Sequence, residues 1–166
     1  MKQLLTILFA FFTLSLSAQQ DLLIKAAGNY TFLSNDLSPE VGYEIGFEIG
    51  YRVNDAISIR WGADFFEERF EERTGTGVQL NTVAIYNLKK IGLGAGLLFD
   101  KTHRLSPDED IDVNEDKIGA LARVEFNIRR LKIFGQCEYT FRDPYKNAPG
   151  KKIGLSLGAM YSIYRN

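Results

Sequence analysis

The stretch from Val41 to Val53, VGYEIGFEIGYRV, alternates apolar residues with glycine or charge along its whole length. Every odd-numbered position is apolar, and the even-numbered positions hold Gly, Glu or Arg. A helix repeats its apolar face about every 3.6 residues, so period two predicts a β-strand. A strand of 13 residues is long for a soluble sheet, where about five or six residues are usual.

The same alternation recurs in seven further blocks, at residues 22–32, 57–65, 78–88, 91–99, 118–128, 131–141 and 153–163. One face of all eight blocks carries no charged residue, although 25% of the chain is charged. The opposite face and the strand ends carry the charges, which are Lys25, Glu44, Glu48, Arg52, Arg60, Asp64, Arg123, Glu125, Arg129, Lys132 and Glu138.

The connections between blocks alternate in length. Tight links fall at Asn54-Asp55, Lys89-Lys90 and Arg129-Arg130. Longer ones fall between them, at Ser34–Glu40, Phe66–Gly77, Asp100–Asp116 and Arg142–Lys151. Within the second of these, Phe66–Arg73 also alternates, which indicates that the third and fourth strands run on past their apolar face as a protruding hairpin. Strict alternation puts every short turn at one end of the sheet and every long loop at the other. The sequence therefore predicts an all-β chain, an eight-stranded antiparallel up-and-down β-barrel.

Composition narrows the class of protein. The chain has 166 residues, with 20 Lys and Arg against 21 Asp and Glu, one Cys and one His. This size suits one core. The balanced charge argues against a nucleic-acid binder, which usually carries a basic surplus. A single Cys excludes an intrachain disulfide framework and a Cys-rich zinc site. We expect no metal and no cofactor.

The first residues are typical of a secretory signal peptide. Met1-Lys2-Gln3 supplies one positive charge, Leu4–Leu16 is almost wholly apolar, and Ser17-Ala18 supplies the small residues of a cleavage site. We expect cleavage after Ala18, so that residues 1–18 are the signal peptide and residues 19–166 form the barrel domain.

Two kinds of eight-stranded barrel fit an exported chain. A soluble lipocalin-like barrel is apolar inside and polar outside, whereas a transmembrane barrel turns its apolar face to lipid. Three features favour the transmembrane barrel. Most of the 15 glycines lie on the charged face, where a narrow lumen needs small residues. Aromatic residues gather at both strand ends, as in the girdles of membrane barrels. The apolar face is free of charge.

The last strand carries the most specific motif. Ser156, Gly158, Tyr161 and Ile163 follow the pattern polar–x–Gly–x–x–aromatic–x–hydrophobic, which resembles the barrel-assembly signal of outer-membrane proteins. Tyr164-Arg165-Asn166 follows it, whereas such chains usually end on an aromatic residue. In architecture the chain resembles the small outer-membrane barrels of Gram-negative bacteria, the OmpX group and the OmpA transmembrane domain.

That resemblance implies a location and a set of partners. It implies a barrel in the outer membrane with periplasmic termini and extracellular long loops, surrounded by lipid that includes lipopolysaccharide, and inserted by the barrel-assembly machinery. It also implies a non-enzymatic surface protein, with loops that serve envelope integrity, adhesion or the binding of a surface ligand. We expect a monomer. The charged interior predicts a structural salt-bridge network in a closed lumen, because eight strands leave no room for a water channel.

Two alternatives remain open. Some small outer-membrane barrels modify lipid A through a His, a Ser and an acid, and the loop after the fifth strand holds His103, Ser106, Asp108 and Glu109. A membrane-embedded deacylase or acyltransferase is therefore the first alternative, although a solvated loop histidine explains His103 more simply. A soluble periplasmic lipocalin-like ligand binder is the second.

Overall fold

The computed structural model describes residues 20–33, 40–70, 73–105, 112–142 and 152–165. They form eight strands, which are β1 (Gln20–Leu33), β2 (Glu40–Arg52), β3 (Ile57–Phe70), β4 (Arg73–Leu88), β5 (Ile91–Leu105), β6 (Asp112–Ile128), β7 (Leu131–Arg142) and β8 (Lys152–Arg165). The predicted signal peptide lies outside the described residues. In the described part of the chain, no helix has the length and apolar character needed to cross a membrane.

The eight strands close into one antiparallel barrel, which confirms the predicted fold class. Each strand pairs with its neighbours in the chain, and β1 pairs with β8 to complete the ring. The seam between β1 and β8 contains a register shift between Leu22 and Leu23. Closure satisfies the hydrogen-bonding groups of every strand along the barrel wall, so the wall has no open sheet edge.

The two faces of the wall differ in the way that the sequence predicts. On β2, Ile45 and Phe47 are each 50% exposed, whereas Glu44 and Glu48 are buried. The exposed apolar face runs around the whole barrel, and we call it the apolar belt. Its central residues, one on each strand, are Ile24, Phe47, Trp61, Leu80, Leu97, Val124, Ile133 and Leu157.

The short turns have the predicted positions. Lys89-Lys90 and Arg129-Arg130 each form a two-residue turn, and Val53–Ala56 forms a four-residue link. In that longer link, the Asn54 side-chain oxygen accepts hydrogen bonds from the backbone N–H groups of Ala56 and Ile57, at 2.9 and 2.8 Å. The first residue of β1 and the end of β8 lie at this same end of the barrel, where Gln20 pairs with Tyr51.

The predicted hairpin extension at Phe66–Arg73 is confirmed, whereas the prediction of a long loop at Asp100–Asp116 is wrong for most of those residues. β3 continues to Phe70 and β4 begins at Arg73, while β5 continues to Leu105 and β6 begins at Asp112. Alternation persists beyond the apolar belt with polar residues on both faces, and the strands persist with it. Glu67, for instance, lies on the outer face of β3, while the next residue, Glu68, is buried. The remaining parts of the four long connections lie outside the described residues.

Candidate functional site: the lumen and its two mouths

Arg123 on β6 is the centre of the charged interior. Its Nη1 lies 2.7 Å from Glu48 Oε1 on β2 and 3.6 Å from Glu125 Oε1. Its Nε donates a hydrogen bond to Gln136 Oε1 on β7, at 2.6 Å. Arg60 on β3 pairs with Glu125 and lies 3.7 Å from Glu48. Two guanidinium groups and two carboxylates from three strands therefore neutralise one another away from water.

Lys25 on β1 forms a second cluster nearer the long-connection end. Its Nζ lies 3.0 Å from Glu44 Oε1 and 2.8 Å from Asp64 Oδ2. Asn81 on β4 donates a further hydrogen bond to Asp64, at 2.8 Å. The Lys25 ammonium group also lies 5.3 Å from the centre of the Phe134 ring, a cation–π distance.

Glu138 on β7 extends the network toward β4. One of its oxygens accepts a hydrogen bond from Gln136, and the other accepts one from Gln79 at 2.9 Å. Gln136 also contacts Arg123, so a chain of polar contacts crosses the lumen. Side chains from β1, β2, β3, β4, β6 and β7 take part in these clusters, which cross-link most of the wall.

Apolar side chains fill the rest of the lumen. One cluster comprises Val83, Ile85, Leu98 and Leu121, and a second comprises Leu23, Phe134 and Met160. The interior predicted from the sequence consists of glycine and charged residues and does not include these two apolar clusters. All seven residues occupy inward-facing positions of the alternating pattern, so the pattern could have predicted that they lie in the lumen. With them the lumen is filled by side chains, as a barrel of eight strands allows.

Three residues predicted for the lumen lie toward its short-turn end. Arg52 and Lys132 are half-buried there, and Arg129 is exposed. Arg129 lies at the mouth of the lumen and forms no ion pair with the described residues of the two charged clusters. It occupies the first position of the two-residue turn with a φ of 57°, so the strand alternation no longer sets its direction. A cavity of about 200 Å³ opens at this end.

The long-connection end of the lumen is acidic. Glu40, Glu68 and Asp100 are buried there, together with Lys117. Thr31 Oγ1 donates a hydrogen bond to Glu68, at 3.0 Å. The prediction from sequence places Glu40 and Asp100 in the long connections, and alternation continued past the apolar face would have assigned both to the lumen. The cavity here is only about 10 Å³, the space of one water molecule.

The residues of the two remaining motifs are placed as follows. His103 lies within β5, where its backbone is opposite Thr76 and Asn114, so its prediction as a loop residue is wrong. Ser106, Asp108 and Glu109 lie outside the described residues. In the last-strand motif, Ser156 and Gly158 face the lumen, whereas Tyr161 and Ile163 are each 50% exposed on the apolar belt.

Comparison with known proteins places the fold. No protein-family model and no curated protein sequence matches the chain. Neisserial surface protein A is 16% identical over 87% of this chain and 97% of that one, with a TM-score of 0.62. Ail, the attachment invasion locus protein of Yersinia pestis, is 14% identical over 88% and 99%, with a TM-score of 0.60.

A third similar structure is the N-terminal β-barrel domain of Pseudomonas aeruginosa OprF. It is 12% identical over 87% of this chain and 99% of that one, with a TM-score of 0.53. These likenesses confirm the architecture that the sequence indicates. The chain has the fold of the small eight-stranded outer-membrane β-barrels.

Proposed function

We propose that the protein is a non-enzymatic barrel of the outer membrane. The observation that carries this proposal is the inverted distribution of residues, with the apolar belt outside and a charged, filled lumen inside. The belt would contact lipid, including lipopolysaccharide in the outer leaflet. The short turns, the start of β1 and the end of β8 would face the periplasm. A soluble lipocalin-like ligand binder would need the opposite distribution and an open interior.

Membrane fractionation tests this proposal. We expect the protein in the outer-membrane fraction, with a gel mobility that changes on heating because the closed barrel resists unfolding by detergent. Recovery as a water-soluble monomer would overturn the proposal and restore the lipocalin-like alternative.

We further propose that the protein binds a surface partner through strands that project beyond the apolar belt. We call this projection the surface sheet, and it comprises residues 66–70, 73–77, 100–105 and 112–117. Its pairing is continuous, from Phe70 opposite Arg73 to Leu105 opposite Asp112. Five residues of extended strand correspond to about 15 Å of length. A similar barrel, Ail, has been crystallised with a heparin analogue, which supports ligand binding by barrels of this kind.

The edge of the surface sheet favours a protein partner. Pairing between β6 and β7 ends at Ile118 and Arg142, so among the described residues no strand pairs with the backbone of residues 112–116 on that side. An unpaired edge offers N–H and C=O groups to an extended peptide. The sequence of residues 112–116, DVNED, has three acidic residues and no basic one, which disfavours a second copy and favours a basic segment.

Two proline substitutions at adjacent edge positions test this binding mode. In a strand, neighbouring N–H groups point to opposite sides, so one of Asn114→Pro and Glu115→Pro removes an edge donor and the other removes a donor to β5. We expect the edge variant to keep the heat-dependent gel shift and to lose partner capture in a crosslinking pull-down from intact cells. Undiminished capture by both variants would contradict edge binding.

The alternative of a lipid A-modifying enzyme has a direct test. Since we propose a non-enzymatic role, we expect His103→Ala to leave the acyl pattern of lipid A unchanged when it is measured by mass spectrometry. An altered pattern would favour the deacylase or acyltransferase instead.

We propose that Ser156, Gly158, Tyr161 and Ile163 act as the signal for the barrel-assembly machinery, and Gly158 also has a structural role at the seam. A Cβ at Gly158 would lie closer than 3.0 Å to the carbonyl oxygen of Ala26 and to Cα and Cβ of Ala27 on β1. Gly158→Val would therefore push β1 and β8 apart. At Gly135 on the neighbouring strand, a Cβ would meet nothing within 4 Å.

Folding measured in micelles and in cells separates the two roles. We expect Gly158→Val to fold poorly in both, because the seam cannot close, and Gly135→Ala to fold normally in both. We expect Tyr161→Ala to fold in micelles and to assemble more slowly in cells. Equal assembly rates for Tyr161→Ala and the unaltered chain would contradict the signal role.

A further inference from the structure

The short-turn end of the lumen opens into a cavity of about 200 Å³ whose lining is strongly basic. We call this cavity and its rim the basic vestibule. Its cationic residues are Arg52, Arg60, Lys89, Arg129 and Lys132, and its acidic residues are Asp21 and Asp55. The vestibule therefore has an excess of positive charge, whereas the clusters deeper in the lumen combine cations with carboxylates.

Three of these cations lack a partner. Arg60 pairs with Glu125, and Lys132 Nζ donates a hydrogen bond to Asn127 Oδ1 at 2.9 Å. Arg52, Lys89 and Arg129 form no ion pair or side-chain hydrogen bond with any residue that the structure describes. Charges of one sign that converge on a recess with low-dielectric walls focus their field and concentrate ions of the opposite sign.

The backbone of two turns supports a role for this charge. Two-residue hairpin turns favour Asn-Gly or Asp-Gly, because those residues accept a positive φ. Here Lys89 and Arg129 take φ values of 52° and 57°. A residue with a Cβ is strained in this region, because the Cβ comes too close to the following carbonyl oxygen. Two separate turns accept this strain, and each brings a basic side chain to the same cavity. Strained backbone of this kind is often found at functional sites.

We propose that the basic vestibule binds a small multivalent oxyanion that enters from the short-turn end. Guanidinium groups match the paired oxygens of phosphate and carboxylate, and lysines add compact positive charge. The cavity of about 200 Å³ is many times the roughly 10–15 Å³ that one water molecule needs in the same measure, so it accommodates an anion the size of phosphate with part of its hydration shell. The Arg60–Glu125 pair at its floor separates it from the rest of the lumen.

This inference rests on the proposed function in one respect, which is the cellular compartment that supplies the anion. Binding of the anion can be measured on the isolated barrel. Free phosphates and the phosphate groups of lipids share the required chemistry. The test must therefore distinguish a dissolved anion from a lipid headgroup.

The folded barrel in zwitterionic micelles is titrated with inorganic pyrophosphate at constant ionic strength, and backbone amide shifts are followed by NMR. We expect saturable shifts in the turns and strand ends that line the vestibule. The chain supplies a matched control, because Lys90 and Arg130 stand in the same two turns and do not line the cavity. The lining variant is Lys89→Asn with Arg129→Asn, and the control variant is Lys90→Asn with Arg130→Asn.

Asn tolerates a positive φ, so the lining variant should fold at least as well as the unaltered chain. Loss of two charged hydrogen bonds should weaken pyrophosphate binding by about tenfold or more, while the control variant should bind within about twofold of the unaltered chain. Arg52→Gln, on a strand, provides a third variant that leaves both turns untouched. Equal weakening in the lining and control variants, or shifts that never saturate, would overturn the proposal.

Nanodiscs identify the source of the anion. If lipid phosphates occupy the vestibule, discs that contain cardiolipin, whose headgroup carries two phosphates, will reproduce the pyrophosphate shifts and prevent further change on titration, whereas discs of phosphatidylcholine alone will not. If a dissolved anion is the ligand, pyrophosphate will bind equally in both discs. Both results support an oxyanion site, and the absence of binding in micelles and in both discs would refute it.

Discussion

We expect that replacing Arg123 by methionine will lower the free energy of unfolding of the barrel by about 3–5 kcal/mol, the usual cost of removing one partner of a buried ion pair. Arg123 is 2% exposed, and its guanidinium group neutralises Glu48 at 2.7 Å. Without it, Arg60 alone faces both Glu48 and Glu125 inside a lumen that water does not fill. Urea unfolding of the barrel in phospholipid vesicles, followed by fluorescence, measures the change.

Two further variants show whether the cost arises from the uncompensated charge. Arg130→Met removes the same side chain from an exposed turn, and it should change the free energy by less than about 0.5 kcal/mol. Arg123→Met combined with Glu48→Gln leaves Arg60 and Glu125 as a balanced pair. This double variant should recover most of the stability that the single variant loses. A double variant as unstable as the single one would show that Arg123 acts through packing alone.

The alternation of apolar and polar residues along each strand was enough to predict the barrel, its two faces and its strand order. The pattern at Val41–Val53 determines which side chains share a face, and the short and long links determine the up-and-down order. Neither feature says which interior charges meet. Glu48 and Arg123 are 75 positions apart, and their contact depends on the stagger of all eight strands around the closed barrel.

The errors at the strand ends have a related cause. Most predicted strands end where their outer face stops being apolar. That point marks the edge of the apolar belt, whereas the strands themselves continue beyond it. Asp100 and Asp116 are therefore loop residues in the prediction, although Asp100 lies opposite Lys117, and Asp116 opposite Lys101, on β5 and β6. Arg129 is the reverse case, because alternation was continued into a turn. The basic vestibule was missed for the same reason, since turns bring two of its cations to the cavity.

The second large effect is expected on the outer face, where Leu157→Arg should destabilise the barrel by about 2–4 kcal/mol in a bilayer, the cost of an arginine near the membrane midplane. Leu157 is 70% exposed, and it lies opposite Gly28 on β1 and Gly135 on β7. The substitution therefore removes little packing, and nearly all of its cost must come from contact with lipid. Urea unfolding in phosphatidylcholine vesicles provides the measurement.

Position along the same strand distinguishes a lipid environment from water. Ile153 lies at the long-connection end of β8 and is 45% exposed, so Ile153→Arg should cost only about 0–1 kcal/mol at the interface. A barrel surrounded by water would tolerate both arginines equally, each within about 0.5 kcal/mol. A cost that increases from Ile153 to Leu157 therefore requires hydrocarbon around the apolar belt, and equal values at the two positions would contradict a transmembrane barrel.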